Sequence, residues 1–293
     1  MKILFSAVAI VLGGNLLFAQ GIMGTEAQRE AGKKLYDAKC AQCHGYDGDA
    51  QSVGREFFRP QPRNFTTGIY KFRTTPNGQL PSHADIKRSI KLGMPYTGMP
   101  TWPDFSEKEL DNLAYYIKTF SSDFEEFGDV AAVTIPEAPP FSEASAERGR
   151  IIYEENQCVD CHGDFGRGDG KSAPTLTDHW NEPIRAADLT KPWTYRRGSS
   201  REDIFITFTT GLDGSPMPSY NIQPPEDQWA LVDYVYSLRM SDRPNYGVMV
   251  VARHVDQPID IAGGKAIFDG TESTRFPVAG QVIEPGRAFF PGV

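Results

Sequence analysis

Apolar positions recur along the chain in two stretches of the same helical design. Leu110, Leu113, Ala114 and Ile117 share one face at a period of 3.6 residues. Further on, Trp229, Val232 and Tyr236, flanked by Leu231 and Val235, repeat that face. Each stretch predicts an amphipathic helix closing a structural unit. The openings are also paired. Thr25-x-x-Gln28 has the layout of a capping box and starts a helix carrying Gly32 and Tyr36, and Gly149 and Tyr153 hold the same places later. Ser82-x-x-Asp85 and Ser200-x-x-Asp203 mark one further helix start in each unit. The two glycines are expected to let the first and last helices of a unit cross closely. The chain therefore reads as mainly α, with one unit built twice.

Residues 126–142, EFGDVAAVTIPEAPPFS, are Pro-rich and acidic, lack helical periodicity and read as a linker. That places the units at 20–125 and 143–240. Ahead of them one Lys precedes an apolar run from Ile3 to Phe18, with Ala19 as a small residue before a cleavage point. Residues 1–19 thus have the layout of a secretory signal peptide. The run is broken by Gly13, Gly14 and Asn15, and it falls short of the roughly 20 apolar residues a span needs. The expectation is an exported, periplasmic protein with no membrane span after cleavage, or one tethered at its N-terminus if the segment is kept. After Met240, YGVMVVARHV (246–255) and RFPVAGQVIEP (275–285) read as two short strands around a Gly-rich turn region. So short a segment cannot build a core alone. The β-rich tail, 241–293, is expected to lie on the helical units or to dock on another protein.

Of the 293 residues, 40% are hydrophobic and 23% charged, and the formal net charge is −8. An acidic balance argues against a nucleic-acid partner and favours a neutral or basic docking partner. The four cysteines change the picture more. They form Cys40-Ala-Gln-Cys43-His44 and Cys158-Val-Asp-Cys161-His162. A zinc site would need the two pairs to converge on one metal, and a thioredoxin-like C-x-x-C has no use for the following histidine. C-x-x-C-H is the attachment signature of c-type haem, and a shuffled chain of this composition would hold about 0.001 copies of it. Two thiols on one helical turn reach the two vinyl groups of one porphyrin, and the adjacent imidazole lies beneath the ring. Two covalently attached haem c groups are expected, on Cys40, Cys43 and His44, and on Cys158, Cys161 and His162.

The offset between Cys40 and Cys158 is 118 positions, and it recurs. Gly93 falls on Gly211, Leu113 on Leu231, and Tyr116-Ile117 on Tyr234-Val235. Applied to the methionines, it takes Met94 to Leu212 but Met99-Pro100 to Met217-Pro218. A six-coordinate haem needs a second axial ligand, and a thioether on a Pro-stiffened loop supplies one. Met99 and Met217 are therefore expected as iron ligands opposite His44 and His162, with Met94 as packing. Met99 and Met217 as flexible core fillers is the alternative.

Helix, C-x-x-C-H, wrapping loop, Met loop and closing helix together resemble the class I cytochrome c domain, twice over, across about 100 residues in each half. The resemblance implies a mainly α chain of two tandem cytochrome c-like domains. It also implies that Pro174 offers its carbonyl to His162 Nδ1, with Pro60 or Pro62 as the first-half counterpart. Between motif and Met loop the halves share NFTTGIYKFR (64–73) and DLTKPWTYRR (188–197). Arg73, Arg196 and Arg197 there are candidates to hold haem propionates, or are solvated surface. Trp102 and Tyr220, three residues after each Met, are candidates to line the haem edge, or are core. His83 reads as surface, and His179 and His254 have no counterparts in the repeat.

The expected function is electron transfer between redox proteins of a respiratory chain, with no catalytic residues, because His/Met ligation leaves neither iron an open position. A dihaem enzyme of the cytochrome c peroxidase or thiosulfate dehydrogenase type is the alternative. The tail, with DLTKPWTYRRGSSREDIF, resembles dihaem cytochromes that precede haem-binding domains of the ethylbenzene dehydrogenase gamma type. That resemblance implies association with a molybdenum oxidoreductase complex. The tail's resemblance covers only some 40 residues and the sequence stops soon after the strand that opens such a domain, so no b-type haem site is expected.

Overall fold

The computed structural model describes residues 21–239 and, of the remainder, the backbone of four three-residue strands. The expected signal peptide, the strand expected over 246–255 and His254 lie outside the described residues. In the first half, α1 (Glu26–Lys39) starts at the capping box foreseen from Thr25 and Gln28. A single turn follows, α2 (Ala41–His44), then α3 (His83–Leu92), α4 (Glu107–Lys118) and the short α5 (Asp123–Phe127). Ser82 with Asp85 caps α3, and Ser106 with Glu109 caps α4, so the amides freed at each helix start are paired locally. The second half repeats the order with α6 (Glu143–Glu155), the turn α7 (Val159–His162), α8 (Arg201–Thr210) and α9 (Pro225–Ser237). No helix among the described residues is long and apolar enough to cross a membrane.

The first and last helices of each half cross at their glycines, as expected. A Cβ on Gly32 would lie 2.0 Å from the Asn112 carbonyl oxygen of α4, and one on Gly149 would lie 1.9 Å from the Ala230 oxygen of α9. Around these crossings Tyr36, Leu110, Leu113 and Ile117 form one core, and Tyr153, Trp229, Val232 and Val235 form the other.

Of the described residues, 21–238 form one compact unit in which the halves are joined by polar contacts. Arg73 is fully buried there. Its guanidinium donates to Thr210 O at 2.8 Å and Asp213 Oδ1 at 2.9 Å. Arg88 pairs with Asp203 at 2.8 Å, and Gly78 N donates to Asp213 Oδ2 at 3.1 Å. The segment expected as a linker has no regular secondary structure from Asp129 to Ser142 and is tied to both halves. Val133 N donates to Thr74 O at 2.7 Å, and Arg201 donates to Pro139 O at 2.7 Å. A second unit begins at Arg239, and its described elements are four short strands. In it β1 (Ile259–Ile261) pairs antiparallel with β2 (Gly264–Ala266), and β3 (Phe276–Val278) with β4 (Gln281–Ile283). The stretch expected as one strand over 275–285 is thus a hairpin.

Candidate cofactor site

Each C-x-x-C-H sequence occupies one tight turn. In the first, Cys43 N and His44 N both bond Cys40 O, at 3.0 and 2.9 Å; in the second, Cys161 N and His162 N bond Cys158 O at 3.3 and 2.9 Å. Residues three and four apart share a helix face, so both sulfurs and the imidazole of a motif point the same way. The turn is held from behind by the preceding helix. Tyr36 donates its hydroxyl to Gly45 O and Tyr153 donates to Gly163 O, both at 2.7 Å. Gly45 and Gly163, at φ +79° and +78°, turn the chain away from the motif. Burial pushes the Cys40 and Cys158 thiols up to about 11. A redox-active C-x-x-C needs the opposite shift. Among the described residues no group of three or more His, Cys, Asp or Glu converges as a zinc site would require.

The two imidazoles are oriented alike, by carbonyls other than those expected. His44 Nδ1 lies 3.0 Å from Arg63 O, and His162 Nδ1 lies 3.0 Å from Ala187 O. Pro174 sits in a short 3-10 turn (Ala173–Thr175) instead, and neither Pro60 nor Pro62 supplies the first-half acceptor. The second half reaches its acceptor 25 residues after the histidine and the first half after 19, so the 118-residue offset fails here. Burial lowers the basicity of both histidines. With neutral rings that donate from Nδ1, each Nε2 keeps a lone pair for a metal.

Over the first motif lies a mainly apolar cavity lined by Cys40, Cys43, His44, Ile86, Met99 and Trp102. Met94 also lines it. Both methionine loops are closed by the same three bonds. Met94 N bonds Met99 O at 3.1 Å, Thr97 N bonds Met94 O, and Thr97 Oγ1 accepts from Met99 N. Leu212, Ser215 and Met217 repeat every one of them. Met217, Tyr220 and Cys158 each pack against the second core. The Tyr220 phenol is raised by burial and by the adjacent Cys158 and Cys161.

The basic residues divide in an unexpected way. Arg73 is spent on the interface between halves. Arg197 is buried, and burial pushes its guanidinium down to about 10. Arg196, a second-half residue, lines the first cavity. So do Arg63, Lys71, Tyr70 and the second-half Trp180, which the sequence reading passed over. Arg63 Nη1 and the Tyr70 hydroxyl are buried and unpaired among the described residues. Unpaired buried donors are costly, and a planar apolar ring carrying two carboxylates, as haem is, fits a cavity so furnished. His83 bonds Asp111 at 3.1 Å and is not among the cavity's lining residues. His179 Nδ1 lies 3.0 Å from Gly214 O, on the second methionine loop.

Comparison with known proteins gives two family matches. Residues 27–117 match "Cytochrome C oxidase, cbb3-type, subunit III" and residues 146–239 match "Cytochrome c". The chain is 31% identical over 91 residues to cytochrome c-554(547) of Halothiobacillus neapolitanus, covering 30% of this chain and 92% of that protein. It is 26% identical over 137 residues to thiosulfate dehydrogenase of Stutzerimonas stutzeri, covering 45% of this chain and 36% of that one. Among solved structures, a chain of the Kuenenia stuttgartiensis reducing HAO-like protein complex superposes with a TM-score of 0.69 at 39% identity. That match covers 72% of this chain and 96% of the other.

Proposed function

The chain belongs to the cytochrome c family as a dihaem c-type cytochrome, and on that premise we propose that it is an exported electron carrier. In this reading Cys40, Cys43, Cys158 and Cys161 hold two haem c groups by thioether bonds, and His44 with Met99 and His162 with Met217 ligate the irons. When bound, each haem supplies a one-electron Fe(III)/Fe(II) couple whose potential methionine ligation raises. The chain's own residues orient the imidazoles through Arg63 O and Ala187 O and, over the first motif, line an apolar cavity.

The observation that carries the proposal is the sameness of the two methionine loops, bond for bond. A peroxidase needs one haem poised to open, and the hydrogen bonds that close these loops are the same in both halves. The test is an optical spectrum of the ferric protein with cyanide or peroxide, and of the reduced protein with carbon monoxide. A carrier shows two low-spin haems, the methionine–iron charge-transfer band and no response to these ligands. A high-spin or ligand-binding haem would replace the carrier by an enzyme of the thiosulfate dehydrogenase or peroxidase type.

Electrons enter and leave where a haem edge meets solvent beside its motif. Val53 and Phe57 are exposed there, in a short helix (Val53–Phe57) lying against Cys43. Tyr46 and Phe165, close behind the two motifs, are exposed as well. Apolar side chains at such a rim suit transient docking. The likeness to a chain of a HAO-like complex favours a second, compatible reading as the electron-transfer subunit of a larger assembly. It sets a HAO-like partner beside the molybdenum oxidoreductase implied by the tail's resemblance. A pull-down from the native host with the full chain and with residues 241–293 removed tests the docking role of the tail. Capture of a multihaem or molybdenum partner by the full chain alone supports it, and equal capture by both sinks it.

A further inference from the structure

The cavity over the first motif is not built by the first half alone. Trp180 and Arg196 belong to the second half, yet both line it. Arg63 is clamped beneath Trp180, its guanidinium carbon 5.0 Å from the ring centroid, within range of a cation–π contact. Arg63 also supplies the carbonyl that orients His44, so the second half presses on a residue already engaged with the proximal histidine. Had the halves been self-contained repeats, Arg196 would serve the second motif, with which it shares a half.

Three cations, Arg63, Lys71 and Arg196, converge on this cavity. Burial and the repulsion of Arg63 and Arg196 push the Lys71 ammonium down to about 8, and burial lowers both arginines. The nearby acids are committed elsewhere. Asp178 accepts from Trp180 N at 2.9 Å and Glu182 N at 3.1 Å. Asp85, also in the wall, accepts from Ser82 and Thr74 at the start of α3. Asp213 takes Arg73 and Gly78 N. Buried charge is normally paired, and here the donors left over are Arg63 Nη1 and the Tyr70 hydroxyl.

We propose that the first haem site is completed by the second half, with Trp180 closing it and Arg196 joining Arg63 and Lys71 to hold the haem's propionate carboxylates. This rests on the reading of the chain as a dihaem carrier. It makes the first haem's potential depend on the packing of one half against the other. A cation beside the haem disfavours the more positive ferric state, so its loss lowers the potential.

The experiment is a spectroelectrochemical titration of the holoprotein in an M217H background. Replacing methionine by histidine moves the second haem's reduction step to lower potential and so labels it. Adding R196Q is expected to lower the first haem's step and leave the labelled step in place, while R196K, which keeps the charge, restores it. Circular dichroism of R196Q confirms that it folds. If R196Q fails to fold, W180F is titrated in its place and is expected to move the same step. A shift of the labelled step, or of neither, overturns the inference. Absence of two low-spin haems from the parent protein would instead overturn the carrier reading, so the two failures are distinguishable.

Discussion

Replacing Gly32 by valine is expected to prevent stable folding of the first half. The Cβ alone would sit 2.0 Å from the Asn112 carbonyl oxygen, 2.6 Å from its carbon and 2.9 Å from Tyr116 Cβ. Two of these obstacles are backbone in the middle of α4, so no side-chain rotation relieves them. The helices must part, which also uncovers Leu110, Leu113 and the Tyr36 ring buried beside the crossing. Overpacking costs about 1–3 kcal/mol where side chains can shift. A clash with fixed backbone belongs among the changes exceeding about 4 kcal/mol, a large part of the roughly 5–15 kcal/mol that holds a domain together. G149V should do the same to α6 and α9, where the approach is 1.9 Å. Alanine is the sharper case. By intrinsic propensity G32A gains about 1 kcal/mol of helix stability, and the crossing predicts a net loss. The comparison is E30V, on the exposed side of the same helix, which should cost only about 0.5 kcal/mol in propensity. Thermal melting of the parent, G32A and E30V holoproteins, with the folded yield of G32V and G149V, checks this. G32A melting at or above the parent would show that the helices do not cross at Gly32.

Such features were legible because they are local. A capping box needs residues three apart, a C-x-x-C-H turn spans five, and an amphipathic face is visible in twelve, so α1, α3, α4 and both motifs follow from the chain directly. The paired Gly and Tyr positions survive comparison even though their offset, from Gly32 to Gly149, is one short of that between the cysteines. The helix α8 was less readable. Ile204, Phe205, Ile206 and Phe208 are all buried, so there is no polar face from which to read an orientation. What the repeat could not convey is which backbone oxygen a loop carries beneath a histidine. The second half needs six more residues than the first to get there, and Ala187 rather than Pro174 arrives. Charged residues misled for a related reason. Arg73 follows aromatics as a propionate-holding arginine would, yet its partners Thr210 and Asp213 come from 137 and 140 positions away. Trp180 has no counterpart in the first half, so a search for paired features passes over it.

The choice between Met94 and Met99 gives the second large effect. Both side chains line the first cavity, so proximity does not separate them, and the loops do. Met94 stands where the second half has Leu212, a residue that cannot ligate iron, while Met99 stands where it has Met217. The hydrogen bonds closing the two loops match position for position. A loop of one shape presents its last residue in the same way in both halves. M99A is therefore expected to remove the sixth ligand of one haem of two. The methionine–iron charge-transfer band should fall by half, and the reduced protein should bind about one equivalent of carbon monoxide where the parent binds none. M94L, which makes the first loop resemble the second, should leave spectrum and ligand binding unchanged. Met94 also lines the cavity and is the thioether to test as a substitute once Met99 is gone, so M94L/M99A is the decisive variant. If M99A keeps the full band and the double variant loses half of it, Met94 has taken over a position that belongs to Met99. If M94L by itself halves the band, the assignment is reversed, and the likeness of the two loops does not extend to the metal.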